Sequence, residues 1–551
     1  MENIHDDILA LTLRWAAVYP AMNMDDWTAS IPLLHVCKRW RALASPFILS
    51  QAFVEHIYSV SVDGLSSLSS SALEDIENSL QSNLAFISLC KQPNRVRVLN
   101  VSLNGTISSS TFFNCASSLL NKHRAQLQKV SALVLSIFPW NQEAASEESS
   151  DNNNNGTVEN SAATLFAEEV FHSMPSITRL QLVYDSSCML GQYAGSLLAS
   201  SYSGQLQRLS SFNPLLLPVH IFPAQLTRLE ISLADKTTEL LPQISASSLK
   251  QLILYDVPIK FSWKCFNEDA DNSSLSQKIQ FTNLEDLYLT YVVKAVPEEL
   301  NSGGLYKLFF PQLQRLRINH CPVNCEFLSV STFPSSVKVI DIQTPVIVLD
   351  SIISSKAALP IAQRLALCIL PEPVGLYGAC VDGTKIINRF LETNHGSMYT
   401  SLVFTSDCKY TADLKVSTMA KLSELCLYSP ISANELIGTI ESVPDLVDLT
   451  VYTLLTQDFT DVNLNSLLDR GIDMVSPVAT KIATINICAV SEPHSDCDDL
   501  LQFAQCLMLS IPTLRYLMIR GVDVKRLNEF VQKYQELYPH LANIYLADNY
   551  I

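Results

Sequence analysis

The sequence predicts an α/β solenoid in which short parallel strands alternate with helices. The first observation behind this prediction is a repeated pattern, x-Leu-x-x-Leu-x-Leu, which is clearest from Pro512 to Ile519, where Leu514, Leu517 and Ile519 fill the apolar positions. The second is a helical periodicity of apolar residues between several copies of the pattern. Copies recur at intervals of roughly 20 to 36 residues, which is typical of solenoids rather than of closed domains.

Copies of the pattern cover most of the chain after residue 95. Four further copies begin with proline, at Pro175–Leu182, Pro311–Ile318, Pro444–Val451 and Pro539–Leu546. Copies without proline have apolar triplets at Leu226/Leu229/Ile231, Leu249/Leu252/Leu254, Leu284/Leu287/Leu289, Val337/Ile340/Ile342, Leu422/Leu425/Leu427 and Ile482/Ile485/Ile487. Imperfect copies stand at Val96/Leu99/Val101 and Val130/Leu133/Leu135, and degenerate ones at Leu365/Leu367 and Leu402/Phe404. In this pattern the sequence resembles the leucine-rich repeat family.

Each copy predicts one short strand, because residues two apart in a strand point to the same face. A single strand cannot bury its apolar face, so the copies must stack into a parallel sheet with one elongated core. Helices are predicted between strands, with right-handed crossovers, at 163–174, 385–391, 433–443, 498–510 and 527–538. Strand and helix together give the horseshoe that the resemblance implies.

The residues between the buried positions are expected to face outward on the concave side of this horseshoe. There they alternate with the leucines and are free to contact another protein. The residues predicted to bind a target protein are Arg179, Gln181, Arg315, Arg317, Arg515 and Tyr516.

Composition limits the classes of function. The 551 residues are too many for one compact core, and 48% hydrophobic with 17% charged residues argues against overall disorder. A net charge of -17 disfavours nucleic acid or an anionic membrane as the main partner. No apolar run is long enough to span a bilayer, and Asp6, Asp7 and Arg14 interrupt the N-terminal apolar stretch that a signal peptide requires. The expected location is therefore the cytoplasm, the nucleus or both.

Motifs for catalysis, metals and cofactors are incomplete. The fourteen cysteines include no CxxC pair, and only Cys321 and Cys325 lie close together, which disfavours disulfides and a zinc site. Gly378 and Gly383 are spaced as in a phosphate-binding loop, but Thr384 and Lys385 follow in the reverse of the required order. The His494–Asp499 cluster of possible metal ligands is better explained as the capped, acidic start of a helix. We therefore expect no catalytic residue, metal or cofactor, and a protein that is not an enzyme.

Residues 1–50 do not follow the repeat and predict a small all-α domain. Apolar residues from Ile4 to Trp15 and from Leu33 to Phe47 recur at spacings of three and four. Domains this short rarely hold a sufficient core, so their surplus apolar surface must be covered by the repeats or by a partner.

The segments IHDDIL, from Ile4, and VCKRWRAL, from Val36, resemble the F-box. Two features differ from that family: His5 stands where proline is usual, and the link from Ala16 to Ser30 is long. Such a motif ahead of leucine-rich repeats implies a substrate receptor of a Skp-cullin-F-box ubiquitin ligase, with a Skp-type adaptor, a cullin reached through it, and a target protein as partners. The resemblance implies that the adaptor-binding surface is formed or supported by Ile4, Ile8, Leu9, Val36, Cys37, Trp40 and Leu43.

The alternative is a protein-interaction scaffold without any ligase, in which the N-terminal helices only cap the solenoid. In either case residues 51–95 are expected to add a strand at 51–62 and a helix at 71–89, and residues 96–551 the repeats. An acidic, Asn-rich segment, 141–163, is predicted to be a disordered insertion. Its alternative role is docking or phosphorylation around Ser146, Ser149 and Ser150.

Overall fold

The chain divides into two compact units, Met1–Asn272 and Ser273–Ile551. This computed structural model describes residues 51–57, 97–105, 109–139, 155–184, 188–212, 225–233, 246–258, 261, 263–266, 277–292, 306–320, 326–354, 359–370, 383–393, 399–406, 419, 421–429, 431–455, 481–490 and 497–547. The predicted N-terminal domain, residues 1–50, and the predicted helix at 71–89 lie outside the described residues. Both described parts are α/β structures with parallel sheets.

Seven strands of the first unit pair in sequence order, each parallel to the next. They are β1 (Gln51–Ile57), β2 (Val98–Gly105), β3 (Ala132–Pro139), β4 (Arg179–Tyr184), β5 (Arg208–Ser211), β6 (Arg228–Ser232) and β7 (Gln251–Val257). The register aligns Leu99, Leu133, Leu180, Leu209, Leu229 and Leu252 across β2 to β7. All six are buried, so the predicted leucine positions do form one continuous core.

Helices complete the first unit: α1 (Ser109–Lys122), α2 (Arg124–Leu127), α3 (Asn155–Ser173), α4 (Met189–Ser201) and a 3₁₀ turn at Trp263–Phe266. α3 packs between α1 and α4, with the rings of Phe113 and Phe166 4.8 Å apart. The predicted disordered insertion is wrong for residues 155–163, which form the start of α3. Ala162 and Ala163 are buried on the same face as Phe166. The helix therefore starts eight residues before Ala163, where the sequence predicted its start. Residues 141–154 lie outside the described residues.

The described strands of the second unit are more numerous. In chain order they are β8 (Gln277–Gln280), β9 (Asp286–Tyr291), β10 (Tyr306–Phe309), β11 (Arg315–Asn319), β12 (Ser331–Thr332), β13 (Ser336–Pro345), β14 (Ile361–Leu370), β15 (Ser401–Ser406), β16 (Glu424–Leu427), β17 (Ile431–Ser432), β18 (Asp448–Leu455), β19 (Thr484–Val490), β20 (Tyr516–Arg520) and β21 (Tyr545–Ala547).

These strands form two parallel sheets. The main sheet runs β9-β11-β13-β14-β15-β16-β18-β19-β20-β21, and β17 adds a short pairing to β18. A small sheet, β8-β10-β12, carries one strand of each of three successive repeats. Every apolar residue of the triplets in the sequence pattern lies on or beside a strand of this unit or of the first, apart from Val96, which lies outside the described residues. The predicted parallel α/β arrangement is therefore confirmed for the described residues.

The helices of the second unit are α5 (Glu326–Val330), α6 (Val346–Ser354), α7 (Gly383–Thr393), α8 (Ala433–Ser442), α9 (Cys497–Ser510) and α10 (Val524–Tyr534), with a 3₁₀ turn at Pro539–Asn543. The predicted helices at 385–391, 433–443 and 498–510 are confirmed. The predicted helix at 527–538 starts and ends early. Asp523 caps its start by accepting a hydrogen bond from the Lys525 amide, 2.9 Å. Tyr538 is drawn out of helical geometry because Pro539 follows it.

Candidate functional site

Two rows of outward-facing residues cross each main sheet and form the candidate functional surface. We call "first row" the residues that directly precede the first buried leucine of each strand, as Arg179 precedes Leu180. We call "second row" the residues between the two buried positions, as Gln181 lies between Leu180 and Leu182. Burial alternates along these strands, from exposed to buried to half-buried in β4. The row residues therefore project away from the core, as the sequence pattern predicts.

In the first unit the first row is cationic. The register from β3 to β7 places five residues side by side, in the order Ala132, Arg179, Arg208, Arg228 and Gln251. The second row over the same strands is Val134, Gln181, Ser210, Glu230 and Ile253. Two predicted target-binding residues, Arg179 and Gln181, lie in these rows.

Glu230 is the buried acid of this surface and holds three donors. Arg228 Nη2 donates to Glu230 Oε2 over 2.8 Å, and the Ser210 hydroxyl donates to the same oxygen over 2.9 Å. The Tyr255 hydroxyl donates to Glu230 Oε1, also over 2.9 Å. Because Glu230 is only 5% exposed, these hydrogen bonds satisfy a carboxylate that water does not reach freely. The site is thus built from β5, β6 and β7 together.

In the second unit the rows begin with paired charges. Arg315 and Asp286 occupy neighbouring positions of the first row and form a two-point ion pair, with Arg315 Nη2 donating to Asp286 Oδ2 over 2.6 Å. This hydrogen bond raises the pKa of Arg315. In the second row Arg317 lies beside Asp341, with Nε 3.9 Å from Oδ2. Burial raises the pKa of Asp341, against the opposing charge of Arg317.

Further along this sheet the surface becomes acidic and aromatic. Glu424 and Asp448 are neighbours in the first row, so two like charges face outward side by side. Near the other end of the same strands the rings of Tyr428 and Tyr452 stack 3.9 Å apart and 8° from parallel, each about 40% exposed. The hydrogen bond with Tyr452 raises the pKa of Tyr428. Stacked rings offer a flat, rigid contact area.

The remaining predicted site residues differ in their placement. Tyr516 lies in the first row and stacks on Tyr545, with ring centroids 5.4 Å apart. Arg515 precedes that row by one residue, and its Nη1 donates to the Leu514 carbonyl over 3.1 Å, so it lies beside the surface rather than in a row. The predicted adaptor-binding residues Ile4, Ile8, Leu9, Val36, Cys37, Trp40 and Leu43 all lie outside the described residues.

Sequence reasoning missed Arg208, Arg228 and Glu230. Arg208 belongs to the copy Leu206/Leu209/Ser211, which does not match the pattern of three apolar residues because its third buried position is a serine. Allowing one small buried residue in the triplet would have found this strand. The pairing of Glu230 with its three donors had no sequence signal, because the partners come from three different repeats.

The described residues offer little material for catalysis. No three side chains from His, Cys, Asp and Glu come together there as a metal site would require. A small apolar hollow opens between α8 and α9, lined by Ile437, Ile440, Phe503, Cys506, Leu507, Ser510 and Ile511. Its candidate nucleophile is Cys506. Burial raises the pKa of that thiol to about 11, which opposes formation of the reactive thiolate.

We therefore expect Cys506 to resist alkylation in the folded chain. Iodoacetamide at pH 8, followed by mass spectrometry of the peptides, should label the half-buried Cys488 at least about tenfold faster than Cys506, because thiolate character and exposure both control the rate. In urea the two cysteines should react alike. Equal alkylation rates of Cys488 and Cys506 in the folded chain would contradict the conclusion that Cys506 is unreactive.

The sequence matches no protein-family model and no curated protein. In the described part of the chain, no helix combines the length and apolarity that crossing a membrane demands.

Proposed function

We propose that this protein is a non-catalytic receptor that holds a protein partner on the outward faces of its parallel sheets. The observation that carries the proposal is the contrast between the two sides of the strands. The inward side is buried and almost entirely apolar, with Ser211 as an exception, whereas the rows opposite it combine arginines, acids and stacked tyrosines. Arginine and tyrosine are the residues most enriched at the energetic centres of protein interfaces.

Rigidity of the surface supports the proposal. The rows stand on strands whose backbone pairing runs continuously through each sheet, so the backbone that carries these side chains is ordered before any partner arrives. A preordered surface loses little conformational entropy on binding. This favours recognition of an extended surface over catalysis at a point.

The finer proposal is that the target is delivered to a ubiquitin ligase. Residues 1–50 resemble an F-box, and in this family the motif binds a Skp-type adaptor that is attached to a cullin. Holding the target near the conjugating enzyme raises the effective concentration of the two reactants without any chemistry in the receptor itself. In this proposal the protein holds the target in place, and its partners catalyse the transfer of ubiquitin.

A titration of the full chain with a purified Skp-type adaptor tests this finer proposal. We expect saturable binding, and we expect Ile8→Asp to weaken it by at least about 30-fold, because a charge would be buried in the apolar contact. Leu9→Asp is the parallel variant. Their thermal unfolding should match that of the unchanged chain. No binding by a folded chain would contradict the ligase assignment, and loss of folding in both variants would favour a helical cap.

The second candidate is a protein-interaction scaffold without a ligase. One observation favours it: β1 pairs with β2 on one side, and no described strand pairs with its other edge. An uncovered edge strand invites association, so the residues before β1 have a structural reason to cover it. The adaptor titration separates this candidate from the first.

A further inference from the structure

Three arginines cross three adjacent strands of the first unit. Arg179 on β4 is level with Arg208 on β5, which is level with Arg228 on β6. Neighbouring strands are about 4.8 Å apart, so the three side chains start within about 10 Å. Like charges placed opposite each other destabilise a sheet. Burial and the charges of Arg179 and Arg228 together lower the pKa of Arg208. Folding alone gives no reason for this row.

The positive charges of this arginine row are only partly neutralised by the described residues. Among the described residues, Glu230 provides the carboxylate that meets the row, and it is bound to Arg228, 37% exposed, as described above. Arg179 and Arg208 form no ion pair with any residue that the structure describes. Two exposed guanidinium groups thus remain without an ionic partner among the described residues, on a face whose other row positions are neutral apart from the paired Arg228 and Glu230. The chain as a whole carries a charge of -17, so general basicity does not explain them.

An exposed aromatic pair lies on the same face, beyond the arginines. The ring of Phe212 is 44% exposed and stacks on Tyr255, with centroids 5.8 Å apart and planes 30° apart. Ser232 lies level with Tyr255 on the intervening strand, and its small side chain leaves room for the two rings to meet. Phe212 is four residues beyond Arg208, a distance of about 13 Å along a strand.

We propose that this face binds an acidic peptide segment of a partner protein, with carboxylates on Arg179 and Arg208 and an apolar side chain against Phe212 and Tyr255. The inference deepens the proposed function and rests on it, since it names the chemistry of the partner on one sheet. Guanidinium groups bind carboxylates through two parallel hydrogen bonds, which gives both affinity and orientation. The rings of Phe212 and Tyr255 add an apolar contact that a peptide can make and a simple anion cannot.

A peptide fits these observations better than a nucleic acid does. Nucleic-acid affinity comes largely from neutralising many phosphates, and this face offers only two arginines without an ionic partner in the described part of the chain. The negative charge of the whole chain also repels a long polyanion at a distance. A short acidic segment needs only local complementarity, which the arginine row and the aromatic pair supply.

The experiment selects binders from a random 12-residue peptide library with the full chain and measures their affinities by fluorescence polarisation. We expect enrichment of Asp or Glu, with an apolar residue about four positions away, which is the spacing that an extended peptide needs to reach both groups. Arg179→Gln with Arg208→Gln should weaken the selected peptides by about 100-fold, roughly tenfold for each charged hydrogen-bonding group. Phe212→Ala should weaken them by about tenfold.

A matched control separates local contacts from the change in overall charge. Lys129→Gln with Lys525→Gln also removes two positive charges, from exposed positions outside the rows, and should change affinity by less than about twofold. Circular dichroism should show that both double variants remain folded, since the first one relieves repulsion within the row.

Three results would overturn the inference. They are selected peptides without acidic residues, equal loss of binding in the two double variants, and tighter binding of a single-stranded oligonucleotide than of the selected peptides at this face. None of these results affects adaptor binding, so failure here remains distinguishable from failure of the ligase proposal. Conversely, an adaptor that does not bind leaves the peptide result standing.

Discussion

Replacing Phe310 by alanine is expected to lower the free energy of unfolding by about 4 kcal/mol, the largest effect of any single substitution considered. Phe310 is fully buried at the end of β10. Its ring lies 5.0 Å from that of Phe281 and 5.7 Å from that of Phe333, both 15° from parallel, and Phe327 closes a third side at 5.9 Å. Alanine would leave a cavity in the middle of this stack, and neighbours from three repeats could not all move in to fill it.

The adjacent Phe309 is a matched control. It is half-buried and faces the other way along the strand, with Lys278 Nζ 4.3 Å from its ring centroid. Phe309→Ala is expected to cost about 1 kcal/mol, the scale of an exposed cation–π contact. Urea unfolding followed by circular dichroism measures both, and hydrogen exchange of the β8 and β10 amides locates the loss. Similar costs for the two variants would contradict the buried stack.

Replacing Gly195 by alanine is the second large expected effect, a loss of about 2 kcal/mol although alanine is the better helix former. Gly195 lies within α4, where the helix crosses the side chain of Tyr184. A Cβ atom there would overlap the Tyr184 hydroxyl, and would lie 2.6 Å from Cζ of that ring and 3.1 Å from Leu182 Cδ1. The ring is buried and cannot swing into solvent. The glycine is therefore needed for close approach of helix and strand.

Gly438, within α8, is the control for helix propensity. No atom would lie within 4 Å of a Cβ placed there, so Gly438→Ala should stabilise the protein by about 1 kcal/mol. Opposite signs for the two glycine variants in thermal or urea unfolding would support the close contact. Two stabilising variants would contradict it.

Tyr184 provides a second check on the same contact. Its hydroxyl is buried without a hydrogen-bond partner among the described residues, and burial raises its pKa well above the ordinary value. Tyr184→Phe should therefore be neutral or stabilising, since it removes an unsatisfied polar group. In a Tyr184→Leu background, which removes the obstructing ring, Gly195→Ala should cost less than about 1 kcal/mol. Additive costs would show that the two residues do not interact.

Particular elements show how far the sequence reached. Strands β4, β11, β18 and β20 follow directly from Pro-x-Leu-x-x-Leu-x-Leu copies, because each needs only a local alternation of buried and exposed residues. β5 was missed because its sequence does not show this alternation. Ser211 stands where the pattern requires an apolar residue, although it is fully buried. The start of α3 was missed because residues 155–161 contain a single large apolar residue, Val158, whereas the buried apolar residues of the helix begin at Ala162.

The candidate surface was predicted in kind but not in composition. The alternation placed Arg179, Gln181, Arg315 and Arg317 outside the core, and the structure agrees. The alternation gave no indication that Asp286 pairs with Arg315 and Asp341 with Arg317. Arg179 has no such partner among the described residues. The two aspartates are 29 and 24 residues distant from their arginines in the chain, on neighbouring repeats of unequal length.

The sequence by itself determined most of the buried positions and that they lie on short strands, because burial of every second side chain is a local property of the chain. Only the tertiary structure decided which outward residues become neighbours. Parallel strands pair through backbone N–H and C=O groups that are the same for every residue, and the buried leucines align the register only between strands that are recognised, which β5 was not. That register brings Arg179, Arg208 and Arg228 into one row, and with it the surface that we propose a partner recognises.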